Sequence, residues 1–211
     1  MARVDDGSGG VPARLVIARH GETEGNRAGV HQGHTDSPLT VAGRSQAEEL
    51  GDELRRRYPG ASRIYSSPLS RALSTAAVAA GPLGLSVMVE PDLIEGSLGD
   101  WEGLPSAQID QLGFWAKAKA DPDYSAPGGE SSRACGTRAA DTFERLAGLA
   151  KGSPVIVVTH QGPICQGLAT LFETPLPGFE YGLGNGGFCE VVFTGVGASR
   201  SRVWRPRPVK R

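Results

Sequence analysis

Leu15-Val16-Ile17-Ala18-Arg19-His20-Gly21-Glu22-Thr23 and, far along the chain, Val155-Ile156-Val157-Val158-Thr159-His160-Gln161-Gly162 decide how this sequence folds. Each begins as a continuous apolar run, the pattern of a strand buried on both faces. Each then gives way to a histidine with glycine close behind it. Glycine lets a backbone turn sharply and come close to a ligand. In open α/β sheets, ligands bind beyond the carboxyl ends of the strands. If the two runs are parallel neighbours, His20 and His160 meet in one crevice despite a separation of 140 residues. A single histidine at a strand end is usually structural. The repeated arrangement leaves a structural and a functional reading open.

Around these runs, short β-type segments alternate with longer helical patterns, which predicts a layered α/β domain. Ala47, Leu50, Leu54 and Tyr58 recur at three- and four-residue spacing and predict a helix over 40–58, closed by Pro59-Gly60. A strand is expected at 63–66. Ser67 as N-cap and Pro68 as first helical residue then predict a helix through Ala80. Further strands are expected at 86–89, 188–193 and 201–204, and helices at 115–120, 138–150 and 163–172. Residues 105–132 are the least regular stretch, broken by Pro122, Pro127, Gly128 and Gly129.

The chain has 211 residues, 39% hydrophobic and 21% charged, which is ordinary globular usage. It reads as a polar, glycine-rich lead-in over 1–13, one domain over 14–205 and a basic tail over 206–211. Six cationic side chains stand among the last dozen residues, so a whole-chain charge of -1 leaves -7 on the rest. A solvated, frayed terminus is the plain reading of that basic end. The near-neutral balance argues against a nucleic-acid or anionic-membrane partner. No apolar run has membrane-spanning length. The N-terminus lacks the apolar stretch of a secretory signal. Cys135, Cys165 and Cys189 form no CxxC pair and match no zinc spacing, which fits a reducing, cytoplasmic setting.

Metal chemistry fits poorly. No histidine pair stands at i,i+4 on a helix, and His31 and His34 fall in the loop-like stretch HQGHTDSP. Anion chemistry fits better. Arg71 falls in the first turn of its expected helix, where a cation opposes the helix dipole at a cost of about 0.3–1 kcal/mol. That placement suits an anion held between the arginine and the helix N-terminus, or a surface salt bridge. Arg19, beside His20, is a second guanidinium on the same approach, and the donor fork of arginine matches phosphate oxygens.

The segments LVIARHGETEGN, QGHTDSPLTVAGRSQAEELG, IYSSPLSRALSTA, LIEGSLGDWEG and VIVVTHQG, in this order over about 14–185, resemble the histidine phosphatase superfamily. The resemblance is to the branch that includes cofactor-dependent phosphoglycerate mutases, α-ribazole phosphatases and fructose-2,6-bisphosphatases. It implies a phosphoglycerate mutase-like fold: a three-layer α/β/α sandwich around a mostly parallel sheet of about six strands. His20 matches the nucleophilic histidine, Arg19 and Arg71 the phosphate-binding arginines, His160 the late histidine at the phosphoryl group, and Glu95 the general acid/base. Asn26 and Gln32 match polar residues of the phosphate pocket, and Thr23 and Gln161 are grouped with them. Gln161 departs from the commoner HGG, a change expected to affect substrate access more than chemistry.

The resemblance implies a phosphomonoesterase acting on a small phosphorylated metabolite through a phosphohistidine, with neither metal nor cofactor. Crowded positive groups would keep His20 neutral. Arg19, Arg71 and His160 would hold the peripheral oxygens. Glu95, with a raised pKa, would protonate the leaving oxygen. One alternative is a phosphoglycerate mutase-type transferase; the short stretch between Glu95 and His160, with its PGGES motif, looks like phosphatase members instead. The other is a non-catalytic phospholigand-binding protein on the same fold. Pocket walls are expected from 101–132 and 178–187, with Trp101 packed under the loop. A homodimer enters only by analogy with the family.

Overall fold

The computed structural model describes residues 11–194 and 201–207; within the last segment, side chains are described for Arg202 and Val203. Six strands form one sheet: β1 (Ala13–Arg19), β2 (Arg63–Ser66), β3 (Val87–Val89), β4 (Val155–Thr159), β5 (Phe188–Thr194) and β6 (Ser201–Arg207). Their order is β3-β2-β4-β1-β5-β6. The β3, β2, β4 and β1 strands run parallel, while β5 and β6 are antiparallel to their neighbours.

The alternation of side chains across the pleat explains the layers. Leu15, Ile17, Val155 and Val157 face one helical layer, α6 (Ser132–Ala147) and α7 (Gln161–Leu171), through Phe143, Leu146, Ile164 and Leu168. Val16, Ala18, Ile156 and Val158 face the other, α2 (Val41–Arg57) and α3 (Ser70–Ala80), through Leu50, Leu54, Ala72 and Ala76. With helices on both faces, β1 and β4 need apolar side chains at every position, and all of Val155–Thr159 is buried. Each fully buried Val, Leu or Ile there contributes roughly 1.5–3 kcal/mol. This is the expected three-layer α/β/α sandwich.

Local sequence sets the helix ends. Thr40 caps α2 by accepting a hydrogen bond from Gly43 N at 2.9 Å, and Arg55, Arg56 and Arg57 in its last turn suit the helix dipole. Three expectations need correction. The α3 helix begins at Ser70, with Leu69 at the N-cap and no side-chain cap. The Ser67 hydroxyl is engaged by His160 Nε2 at 2.6 Å instead. The α6 helix starts at Ser132, well before 138, because Ser131 caps it through Ala134 N at 3.2 Å. Finally, the basic end is not simply frayed: β6 pairs with β5 through Arg207, past the boundary expected at 205. Arg202 donates to Leu171 O at 2.7 Å and pairs with Glu144. Most of the expected lead-in over 1–13, and residues 208–211 of the tail, lie outside the described residues.

Residues 105–132 carry two short helices, α4 (Ser106–Gln111), which the sequence pattern did not suggest, and α5 (Phe114–Ala120). They make a satellite cluster of Ile109, Phe114 and Ala126, with Trp101, Trp115 and Tyr124 packed against it. A single helical turn, α1 (Glu24–Arg27), follows the first histidine motif and is closed by a capping box between Thr23 and Asn26.

Candidate active site

The parallel register pairs Ala18 with Val158 and Arg19 with Thr159. His20 and His160 therefore leave the sheet side by side, with ring centroids 5.1 Å apart. Beyond them opens a cavity of about 310 Å³, whose walls include Arg19, His20, Asn26, Gln32, Arg71, Glu95 and Gln161. Seven of the nine residues expected at the site thus face one space. Thr23 and His160 do not line it.

His20 is 3% exposed. Its Nδ1 lies 2.7 Å from the Gly21 carbonyl oxygen, so Nδ1 carries the proton and donates, and Nε2 keeps a lone pair. Burial pushes its pKa down to about 3; the Arg19 and Arg71 charges act in the same direction but count for less. The neutrality expected from charge crowding therefore comes first from desolvation. The histidine loop is pinned by α3, whose Thr75 accepts from Gly21 N at 3.0 Å. It is also pinned by α2: a Cβ on Gly21 would fall 2.3 Å from Gly43 O.

Arg71 is buried on α3 and nearly saturated. It donates from Nη1 to Thr35 O (2.8 Å) and Asp36 Oδ1 (3.1 Å), from Nη2 to Gly33 O (2.8 Å), and from Nε to His160 Nδ1 (3.2 Å). Because arginine can only donate, His160 Nδ1 must be the acceptor and Nε2 the protonated nitrogen, donating to Ser67 Oγ. Both nitrogens of His160 are thereby engaged. Burial, followed by the nearby His20, Arg71 and Arg19, holds its pKa well below the ordinary value. His160, expected at a phosphoryl oxygen, here bonds Arg71 and Ser67 and stands beside the His20 ring.

Arg19 is less committed. Nη1 donates to Leu183 O at 2.8 Å, while its buried Nε has no partner. Asn26 accepts at Oδ1 from Thr23 N (3.2 Å) and Asn185 Nδ2 (3.1 Å), which leaves its own amide N–H groups for the cavity. Gln32 donates from Nε2 to Thr23 Oγ1 at 2.9 Å and accepts at Oε1 from Ser37 Oγ at 2.6 Å. Thr23 thus stands behind the wall and braces both amides.

Glu95 Oε1 accepts from Gly96 N (2.9 Å) and Gly162 N (3.0 Å). Oε2 has no partner among the described residues. Burial raises the Glu95 pKa against those two donors and the arginines. A Cβ on Gly162 would sit 2.3 Å from Oε1 and would displace the Glu95 carboxylate. Two cysteines line the same space, but burial pushes the Cys165 thiol up to about 12 and the Cys135 thiol well above its ordinary value, so neither supplies a thiolate.

Residue-by-residue reading missed the frame around these groups. Glu102 accepts from His34 N (2.9 Å), Thr35 N (3.0 Å), Ser97 Oγ (3.0 Å) and Leu98 N (3.2 Å). It ties the loop that holds Arg71 to the loop that holds Glu95. His34 Nε2 donates to Glu95 O at 2.8 Å, and Asn185 Nδ2 to His20 O at 3.2 Å. Only the position of Glu102 within LIEGSLGDWEG hinted at this. Among the described residues no group of three or more His, Cys, Asp or Glu is disposed to hold a metal ion, and no helix is long and apolar enough to cross a membrane.

The family model for the histidine phosphatase superfamily (branch 1) matches residues 15–204. Phosphoglycerate mutase-like protein 4 of Arabidopsis thaliana is 37% identical over 170 residues, covering 78% of this chain and 72% of that one. A glucosyl-3-phosphoglycerate phosphatase of Mycobacterium tuberculosis is 33% identical over 190 residues, covering 84% of each. A solved mycobacterial glucosyl-3-phosphoglycerate phosphatase, in complex with VO3, superimposes with a TM-score of 0.79 at 32% identity, over 92% of this chain and 97% of that one.

Proposed function

The chain belongs to the histidine phosphatase superfamily, and from that premise we propose that it hydrolyses a small phosphate monoester through a phosphohistidine on His20. The observation that carries the reading is the state of His20. Burial lowers its pKa, its Nδ1 proton is directed to Gly21 O, and its ring lines a cavity shared with Arg19, Arg71 and Glu95. The relatives named as phosphatases support the same reaction class.

In the first step, the Nε2 lone pair attacks phosphorus in line with the ester oxygen, forming an N–P bond as the P–O bond breaks. The free donors of Arg19, the remaining Nη2–H of Arg71 and the Asn26 amide hold the peripheral oxygens. Preorganised donors of this kind are typically worth about 2.7–4 kcal/mol each. Glu95, its pKa raised, gives a proton from Oε2 to the leaving alcohol oxygen. In the second step the Glu95 carboxylate takes a proton from water. The resulting hydroxide forms a new P–O bond, and the N–P pair returns to His20 as inorganic phosphate leaves. Arginines carry the electrostatic role that a metal carries elsewhere, so activity is expected to survive excess chelator. Three free, buried cysteines support a reducing, cytoplasmic setting.

The test is His20→Ala. Turnover of p-nitrophenyl phosphate is expected to fall by a factor on the order of 10⁶. Wild-type protein quenched during turnover should carry acid-labile phosphate on the peptide containing His20. An active His20→Ala protein would sink the mechanism, and phosphoglycerate interconversion without phosphate release would favour the transferase alternative.

A further inference from the structure

The two arginines of the cavity are not equivalent. Arg19 donates to the Leu183 carbonyl and forms no ion pair within 4 Å among the described residues. Arg71 is 1% exposed, and its Nη1 is paired with the Asp36 carboxylate at 3.1 Å. Asp36 is itself held by three donors. Its Oδ1 accepts from Arg71 and from Ser37 N, both at 3.1 Å, and its Oδ2 from Ser70 N, the first residue of α3. A helix N-terminus and a guanidinium both favour negative charge. The anion expected between Arg71 and this helix end is therefore the chain's own carboxylate.

Asp36 stands behind Arg71, outside the cavity wall. Burial raises its pKa, but the contacts with Ser70 and Arg71 outweigh this and hold the carboxyl below its ordinary value, so it is charged near neutral pH. That charge reaches the nucleophile. Burial and the two arginines lower the His20 pKa, and the Asp36 charge opposes them. A charge felt at His20 is also felt by a phosphate bound against it, because Coulomb interaction falls only with the inverse of distance. A phosphate dianion in the cavity is thus drawn by two guanidinium groups, one of which already has a carboxylate beside it.

We propose that Asp36 is a positioning residue that acts through Arg71: as the fixed counter-charge of this guanidinium, it keeps the affinity of the cavity for the phosphate product low. The role rests on the phosphatase reading and extends it to product release. Arg19, with no such partner, keeps its full pull on the phosphoryl oxygens. Asp36 touches neither substrate nor the reacting atoms.

The probe is inorganic phosphate, added to the full chain as an inhibitor of p-nitrophenyl phosphate hydrolysis at low salt. Asp36→Asn removes the charge and nearly keeps the shape, and phosphate should bind this variant roughly fivefold or more tightly than the wild type. The difference should narrow when salt is raised to about 0.5 M. Asp36→Ser, also neutral, should give the same result and serves if the asparagine variant does not fold. Ser70→Pro separates charge from capping. It deletes the Ser70 N–H at the first helical position, which tolerates proline, after a Leu69 that is already extended. It leaves the Asp36–Arg71 pair in place and should leave phosphate inhibition unchanged. A purely structural Asp36 predicts the opposite sign, because a loosened Arg71 would bind phosphate less well. Phosphate inhibition that is unchanged or weaker in the neutral variants, or equally tightened in Ser70→Pro, overturns the role of Asp36 and leaves the phosphatase intact. Failure of the wild type to hydrolyse p-nitrophenyl phosphate or any other monoester overturns both.

Discussion

Below the cavity, His20 and His160 stand at the ends of β1 and β4, whose central apolar residues Leu15–Ala18 and Val155–Val158 are buried between two helical layers. The outer wall of the same cavity depends on a cluster of three buried side chains, Ile109, Phe114 and Ala126. Floor residues are held redundantly: Arg71 by four acceptors, and His20 by its own carbonyl contact and the glycine-tight packing of its loop. The wall residues meet the floor across a loop buttressed by one carboxylate, Glu102. The candidate catalytic residues thus stand on the larger buried cores, and the outer cavity wall on a part with little core of its own. Local opening free energies follow such differences in buried contact.

The largest expected effect after the loss of His20 itself tests the floor. Gly162→Ala pushes a methyl group against Glu95 Oε1 and should cut kcat about 10²–10³-fold on esters with poor leaving groups, within the ~10²–10⁴-fold range of general acid catalysis. It should matter much less for p-nitrophenyl phosphate, whose leaving group needs no proton. Equal losses on both would remove Glu95 from the acid role.

Next comes the wall. Ile109→Ala should cost about 2–3 kcal/mol, at the low end for such a deletion because the cluster around it is small and can relax. Hydrogen exchange should quicken within residues 104–126 and stay unchanged in β1 and β4. Faster exchange throughout the sheet would show that floor and wall unfold as one unit.

The pH dependence of stability belongs to the floor again. Folded His20 titrates near 3, against an ordinary 6.5. Between these values the unfolded chain binds a proton that the native chain does not, so stability rises with pH and is lost as pH falls from 6.5 toward 3. The slope from this group is up to ~1.4 kcal/mol per pH unit. Denaturant midpoints measured between pH 6.5 and 4 should show a shallower slope in His20→Asn than in the wild type.

The smallest effect concerns the tie between the regions. Glu102→Gln keeps one acceptor oxygen but loses the charge that four donors share, and should lower kcat about fivefold, near 1 kcal/mol. A loss as large as that of Gly162→Ala would make Glu102 part of the floor.

The sequence patterns alone determined a layered α/β domain with a histidine at each of two strand ends, and the resemblance made it a three-layer sandwich. Continuous apolar runs such as Val155–Thr159 are stable only as strands covered on both faces, and a histidine following such a run must emerge at the strand end. The resemblance added Glu95, Asn26 and Gln32, which no spacing picks out. Three things waited for the tertiary structure. The start of α3 depended on Ser67, whose hydroxyl is drawn to His160 across the sheet. The posture of His160 depended on Arg71, which fixes its tautomer from another helix. The aromatic wall depended on α4, whose short pattern is lost among glycines and prolines, and on how α5, expected at 115–120, docks with it. Each is a contact between residues far apart in the chain. Periodicity and capping report only on near neighbours, whereas these contacts are set by how layers and loops meet.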